Sequence, residues 1–367
     1  MFIKNLKIKE FLMKSEDTKT IIFCLIVLNI LSLLSIYSSL YQGGEFFSQE
    51  IILKQIVWIG IAWVLMLIFS QINYRTYLGI TYPLYFINIL LLLIVDFFGK
   101  SSMGAQRWIS IFGFTFQPSE LSKIIIVVIL ARFFCHPEKK QFIHNFLLPL
   151  FLILINSLVI FLQPDLGTAL FIIATFFIMG FLSKIKKRYF ICLLLIGVLV
   201  SPLSLNLLKD YQKKRLLVFL NPNVDPLGSG YTIIQSKIAI GSGKVLGKGF
   251  LAGTQNQFNF LPERHTDFIF TVVAEEWGFI GSLFLIFIYW LILIRILQRS
   301  RKVYDSFGYF LCCGISIFIF LHVFINIGMT LGILPIVGLP LTFLSYGGTN
   351  LVAAFILIGI YLNICRL

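Results

Sequence analysis

The chain has 367 residues, of which 58% are hydrophobic and only 13% charged, with a mean hydropathy of +0.93. So much apolar surface exceeds what a soluble globular domain buries, and it predicts a polytopic membrane protein. The formal net charge of +14 does not mark a nucleic-acid binder, because most Lys and Arg fall in short loops between apolar runs, the positive-inside pattern.

Apolar runs of membrane-spanning length, roughly 17–25 residues, occur about ten times. They lie near residues 20–40, 51–71, 77–98, 119–135, 145–162, 166–183, 189–208, 268–296, 307–333 and 338–365. The fold class expected is an all-α polytopic membrane protein of about ten transmembrane helices. The N-terminal Lys4, Lys7, Lys9, Lys14 and Lys19 precede a full-length run with no small-residue cleavage site, so no cleavable signal peptide is expected. Together with Arg75, Lys139, Lys140, the 184–188 cluster and Arg295, Arg299, Arg301 and Lys302, they assign one face, cytoplasmic and holding both termini. The six cysteines sit in or beside apolar runs without CxxC spacing, which predicts neither a disulfide framework nor a zinc site. No internal repeat is evident, so an inverted-repeat transporter is not suggested.

The first unusual outer connection, residues 99–119, carries Arg107-Trp108 and an alternating apolar pattern up to Phe116, read as a segment lying along the surface. Pro118 and Glu120 then start a helix, with Lys123 three residues on and able to pair with Glu120. An ordinary ion pair is the bland reading. Depth argues against it, because the span reaches full length only if it begins at Glu120, which puts both charges inside the bundle. Gln163-Pro164-Asp165 breaks a later run, and Asp165 reads equally as a helix cap or a cavity carboxylate.

The second outer connection, residues 209–267, is the large extracellular loop between the seventh and eighth spans of a single membrane domain, 1–367. Lys209, Lys213, Lys214 and Arg215 open it as an amphipathic surface segment, a turn-rich stretch follows at 221–226, and 231–240 has helical spacing. Residues 241–249 (GSGKVLGKG) fail the phosphate-loop pattern. They read either as a connector or as backbone N–H groups and ammonium charge for a diphosphate. Residues 261–278 (LPERHTDFIFTVVAEEWG) then collect Glu263, Arg264, His265, Asp267, Glu275 and Glu276 at the mouth of an apolar run. In a helix from about Phe268, Asp267, Thr271 and Glu275 share a face, and a straight rod holds Asp267 on the order of 15 Å above the hydrocarbon. The competing reading is a solvated acidic helix start. Finally, 326–350 crowds Gly, Pro and Asn into apolar sequence, predicting broken helix that lines the same cavity as Glu120 and Asp267, or close helix packing.

Taken in order, RWI (107–109), FQPSELSK (116–123), QPDLGT (163–168), GSGKVLGKG (241–249), LPERHTDFIF (261–270), AEEWG (274–278) and PLTFLSYGGTN (340–350) resemble the shape, elongation, division and sporulation (SEDS) family of membrane peptidoglycan glycosyltransferases. Arg264 and Trp277 resemble its RodA-like elongation branch more than its division branch. The resemblance implies polymerisation of lipid II into glycan strands on the outer face of the bacterial cytoplasmic membrane, with release of undecaprenyl diphosphate. It implies Asp267 as general base, Glu120 and Lys123 as a cavity pair, and Asp165 as a secondary cavity acid. Arg107, Lys248 and Arg264 are the expected diphosphate contacts, with His265 beside them. It also implies a class B penicillin-binding protein as partner within the elongation machinery, since no outer segment here is long enough for a transpeptidase. No cofactor is required; a divalent cation, Mg or Mn, is compatible with a diphosphate but no ligand cluster demands one. A lipid II flippase and a non-catalytic scaffold are the rival classes.

Overall fold

A computed structural model describes residues 16–42, 45–46, 49–102, 105–111, 114–135, 142–204, 210–226 and 228–366. The lysines before residue 16, His136, Lys139, Lys140 and Lys209 lie outside the described residues. Ten helices coincide with the ten apolar runs: α1 (Glu16–Leu40), α2 (Gln49–Gln71), α3 (Arg75–Phe98), α4 (Pro118–Cys135), α5 (Leu148–Leu162, entered through a π turn at Ile143–Leu147), α6 (Leu166–Leu182), α7 (Lys187–Ser204), α11 (Ile269–Ser300), α12 (Ser306–Thr330) and α13 (Gly348–Arg366). Between α7 and α11 lie α8 (Asp210–Leu220), α9 (Ser229–Ser242) and the single turn α10 (Thr254–Gln257). Among the described residues, seven helices are long and apolar enough to cross a membrane, and α6 is a shorter apolar helix. This is an all-α, multi-pass membrane protein.

α4, α12 and α13 form the middle of the bundle; Val127, Leu130, Ile315, Phe318, Phe355 and Ile358 are wholly buried there. The outward faces of α1–α3 and α11 carry Phe23, Phe86, Phe97, Phe279 and Trp290, all widely exposed, as lipid-facing surfaces require. The two ends of the bundle differ. At one end Arg295 pairs with Asp17 at 3.1 Å, Arg299 donates to the Cys365 carbonyl at 2.8 Å, Arg366 donates to Gln71 at 2.9 Å, and Asp305 caps α12 through Gly308 N–H at 2.9 Å. The beginning of α1 and the end of α13 therefore share this cationic end. The other end carries the site described below.

Three expectations change. The alternating stretch before Phe116 is a small antiparallel sheet, with strands Lys100–Ser102 (β3), Ala105–Ile111 (β4) and Phe114–Phe116 (β5) in the order β3-β4-β5. Alternation is the signature of a strand, and this one follows a two-stranded ladder of β1 (Tyr41–Gln42) and β2 (Glu45–Phe46). The last run is helical only from Gly348, not from 338; residues 331–347 are irregular, as the breakers crowded into 326–350 predict, with Gly332 and Gly338 at φ of 69° and 71°. Leu339, Leu341, Thr342, Phe343 and Leu344 of that stretch are buried in protein, where non-helical backbone is tolerated.

The third change concerns α11, which is not a straight rod. Gly278 (φ 65°, ψ −159°) breaks it. The backbone groups freed by the break pair with 244–249: Lys248 N–H donates to the Glu275 carbonyl at 3.0 Å and Gly249 N–H to Glu276 at 2.9 Å. In return Phe279 N–H donates to Lys244 at 2.9 Å. Asn326, about one turn from the end of α12, donates from Nδ2 to the carbonyls of Asp267 at 2.9 Å and Leu339 at 2.8 Å. Asp267 is thus tied through its backbone to the last turn of α12.

Candidate active site

Asp267 is half-buried at the loop–helix junction. Phe268 occupies the cap position of α11, and no side chain caps that helix. The Asp267 carboxylate is therefore not engaged as a helix cap. Its oxygen Oδ2 lies 3.4 Å from where a Cβ on Gly338 would stand, so the carboxylate faces the backbone at Gly338. Burial, and then Glu263, push this carboxyl up to about 6, with Asp165 adding to the rise; Arg215 and then Arg107 pull it down. A carboxyl raised in this way is a basic carboxylate near neutral pH.

The loop carrying Asp267 is stitched to the irregular 331–347 stretch. Ser345 Oγ donates to the Thr266 carbonyl at 2.6 Å and Tyr346 N–H to the His265 carbonyl at 2.9 Å. The His265 ring faces Tyr346 with centroids 5.9 Å apart, and burial lowers the imidazole pKa. Arg264 is buried and turned away from the carboxylate, donating from Nε to the Ser39 carbonyl at 2.5 Å and from Nη1 to Asn259 Oδ1. It fastens the loop to the end of α1.

Arg107 and Asp165 meet beside the break between α5 and α6. Asp165 caps α6, accepting from Thr168 N–H at 3.2 Å and Thr168 Oγ at 3.0 Å, and also accepts from Gln117 Nε2 at 3.1 Å. Arg107 lies 3.8 Å from it and donates to the carbonyls of Gln163, at 3.0 Å, and Pro164. Asp165 is a helix cap, and its charge also acts on Asp267.

Glu120 and Lys123 pair at 2.7 Å with side chains 4% and 0% exposed, in the bundle as their depth required. Around them sequence reading missed two partners. Asn350 donates to Glu120 Oε2 at 2.8 Å, and Lys123 Nζ lies 3.1 Å from His322 Nε2. His322 Nδ1 is 3.0 Å from the Pro340 carbonyl; as its donor, Nδ1–H leaves Nε2 to accept from Lys123. Lys123 also lies 5.0 Å from the centroid of the Phe171 ring. A histidine inside an apolar run was the available signal.

Lys248 is committed elsewhere. Its ammonium bonds Glu275 Oε1 at 2.7 Å and Thr254 Oγ at 2.8 Å, while Glu275 also accepts from Gln255 N–H and Asn256. The backbone N–H groups of Gly247, Lys248 and Gly249 all have carbonyl acceptors within the protein. The 241–249 segment is a latch across the broken helix, and Glu275 turns towards that latch instead of sharing a working face with Asp267. Among the described residues, no three His, Cys, Asp or Glu side chains come together to hold a metal ion.

These residues are set in a recognisable chain. The family model of cell cycle proteins that joins FtsW, RodA and SpoVE matches residues 18–367. The chain belongs to the FtsW/RodA/SpoVE family. It is 41% identical to the peptidoglycan glycosyltransferase MrdB of Escherichia coli K12, over 97% of this chain and 95% of that one. It is 32% identical to the peptidoglycan glycosyltransferase RodA of Treponema pallidum, over 95% and 98%. Among solved structures, a chain of a peptidoglycan synthase complex described as coordinating polymerisation and crosslinking superposes with a TM-score of 0.79 at 32% identity, covering 94% of this chain and 96% of that one. Thermus thermophilus rod shape determining protein RodA superposes at 0.70 with 26% identity, covering 94% and 95%. Membership in the FtsW/RodA/SpoVE family accounts for the order of all seven motifs.

Proposed function

We propose that this chain is a peptidoglycan glycosyltransferase of cell elongation, which polymerises lipid II with Asp267 as general base. The 4-hydroxyl of the acceptor sugar attacks the anomeric carbon of the lipid-linked chain. The bond from that carbon to the diphosphate oxygen breaks with inversion, undecaprenyl diphosphate leaves, and the hydroxyl proton passes to the Asp267 carboxylate. The observation that carries this reading is the carboxylate itself: uncapped, half-buried, raised towards neutrality and facing a glycine. Arg107, next to it electrostatically, is assigned the leaving diphosphate, because a guanidinium grips phosphate oxygens in bidentate fashion. Glu120, Lys123, His322 and Asn350 hold the wall of the site through Pro340. Lys248, Arg264 and His265 hold the loop that presents Asp267. A divalent cation would join the diphosphate rather than a cage of protein ligands, and no step is routed through one.

The chain is read as one membrane domain in the cytoplasmic membrane, with ten spans, both termini inside, and residues 209–267 on the outer face. A class B penicillin-binding protein is the proposed partner, supplying crosslinking.

Purified protein, with that partner present, is given lipid II in detergent, where flipping is irrelevant. Asp267→Asn is expected to fold as wild type and to make no glycan strands. Wild-type polymerisation by Asp267→Asn would remove the base assignment, and no polymerisation by the wild type would favour the flippase reading.

A further inference from the structure

We infer that Arg215, on helix α8, is a second diphosphate-binding residue that acts alongside Arg107 on the leaving group. This rests on the reading of Asp267 given above and extends it to a residue that no motif marked.

The geometry starts from three consecutive residues, 336–338. Arg215 Nη1 lies 3.3 Å from the Ile336 carbonyl oxygen and donates to it. Val337 packs so closely on Gly167 that a side chain there would collide with its carbonyl. Gly167 follows Asp165 by two residues, in the first turn of α6. Gly338 faces the Asp267 carboxylate. One short piece of backbone therefore touches Arg215, the helix start that holds Asp165 and Arg107, and the proposed base. Arg215 is also presented by a fixed element. Its neighbour Lys214 pairs with Asp225 at 2.9 Å, and Gln212 and Val218 of the same helix are buried. Arg215 itself is exposed.

The charge balance calls for such a residue. Arg107 stands 3.8 Å from Asp165, so that pair is close to neutral as seen from a distance. Asp267 and Glu263 add two negative charges to the surroundings. A polyprenyl diphosphate adds more, and its developing charge must be met by cations as the glycosidic oxygen departs. Arg215 supplies one at the same wall, and among the cations it acts on Asp267 more strongly than Arg107 does. Arginine suits the place because its planar fork can hold a carbonyl and phosphate oxygens together. The two arginines enter from different parts of the chain, Arg107 from strand β4 and Arg215 from α8, and residues 336–338 link the elements that carry them.

The test compares wild type, Arg215→Gln, Arg215→Lys and Asp267→Asn, each as full-length protein with the partner present. Three quantities are read: polymerisation of lipid II, its inhibition by added undecaprenyl diphosphate, and the acid limb of the pH–rate profile. Arg215→Gln is expected to lower kcat/KM about 10²-fold, the effect of removing one charge-stabilising donor. It is expected to weaken product inhibition by at least about tenfold, and to move the acid limb to higher pH. The shift has that sign because Asp267, facing Glu263, Asp165 and Arg107, loses a cation that favours its ionised form. Arg215→Lys, which keeps the charge and loses the fork, is expected to leave the acid limb in place and to recover only part of the rate. An Arg215→Gln enzyme with wild-type product inhibition and an unmoved acid limb would overturn the assignment, whatever its rate, because bracing Ile336 alone predicts that result. Were Arg215→Gln to misfold, unchanged product inhibition in Arg215→Lys would overturn it equally. Asp267→Asn separates the two readings: if it is dead while Arg215→Gln behaves as wild type, only Arg215 is misassigned, and if it polymerises normally the base assignment fails as well.

Discussion

At the scale of single residues, the site is a set of charges whose positions are fixed by what each one touches. Lys123 has Glu120, His322 and Asn350 around it and almost no solvent. Lys123→Met leaves Glu120 buried without its cation, which costs about 3–5 kcal/mol, whereas removing both charges of a buried pair is far less costly. The double variant Glu120→Gln/Lys123→Met is therefore expected to regain most of the melting temperature lost by Lys123→Met. Its activity should stay down, by about 10²-fold, because His322 then loses the ammonium it accepts from while holding the Pro340 carbonyl, two residues from the wall that faces Asp267. Detergent melting curves and lipid II polymerisation on the same preparations check both halves. Asp267 gives a pH prediction. Its carboxyl is raised to about 6 by burial and Glu263 and must be ionised to accept a proton, so polymerisation is expected to fall as pH drops through about 6. A rate flat down to pH 4 would contradict that role. Which of these residues could be read from sequence follows a physical rule. Glu120, Lys123, Asp165 and Asp267 stood out because a charge in or beside an apolar run is expensive. Arg215 did not, because it sits in a basic run that reads as an ordinary polar surface until the fold lays it on Ile336.

At the scale of elements, the broken helix α11 decides where the base stands. Its N-terminal part, Ile269–Trp277, is held to the loop by Glu275 and by the 244–249 backbone, while the lipid-facing part begins at Phe279, which is 64% exposed. Gly278 and Gly247 both take positive φ, and a Cβ on either would strike the backbone of the other segment. Gly278→Ala and Gly247→Ala are each expected to destabilise the protein and to speed limited proteolysis within 243–260. Gly241→Ala makes the control: it lies in α9 with nothing within 4 Å of the added carbon, and it should hold or slightly raise stability, by about 0.5–1 kcal/mol. Glu275→Gln should loosen the same latch, since Lys248, Thr254, Gln255 and Asn256 all bond that carboxylate. Equal protease sensitivity in all these variants would mean that the latch does not hold the loop. The glycine-rich motif was visible in sequence, but its job was not. Local spacing shows that 241–249 cannot be a phosphate loop; only the break at Gly278, thirty residues on, shows what its N–H groups bond.

At the scale of the whole molecule, the positions of the long apolar helices were legible because a bilayer demands a minimum apolar length of each span. What crosses between helices was legible only in part: the breakers crowded into 326–350 announced the irregular 331–347 stretch, but neither the β3–β5 sheet nor the tie between Asp267 and the end of α12 could be read. These depend on contacts between residues far apart in sequence, such as Asn326 with Asp267 and Ser345 with Thr266. The same architecture makes a sidedness prediction. Arg295, Arg299 and Arg366 cluster at the end of the bundle that holds Asp17, and Lys184 and Lys186 in the turn after α6, with Lys187 and Arg188 at the start of α7, form a cationic corner. Asp165 caps the start of α6 beside the proposed site, and the proposed ten-span topology puts the far end of α6 and that turn across the membrane from Asp267. Lys186→Cys is therefore expected to resist a membrane-impermeant maleimide in spheroplasts and to react once the membrane is opened. Val224→Cys, 61% exposed in the native residue and placed in the connection that leads to Asp267, is expected to react from outside. The native Cys192 is also exposed, so the comparison is made against Cys192→Ser in each background. Labelling of Lys186→Cys from outside would place the base on the cytoplasmic face, where glycan strands cannot be built into a wall.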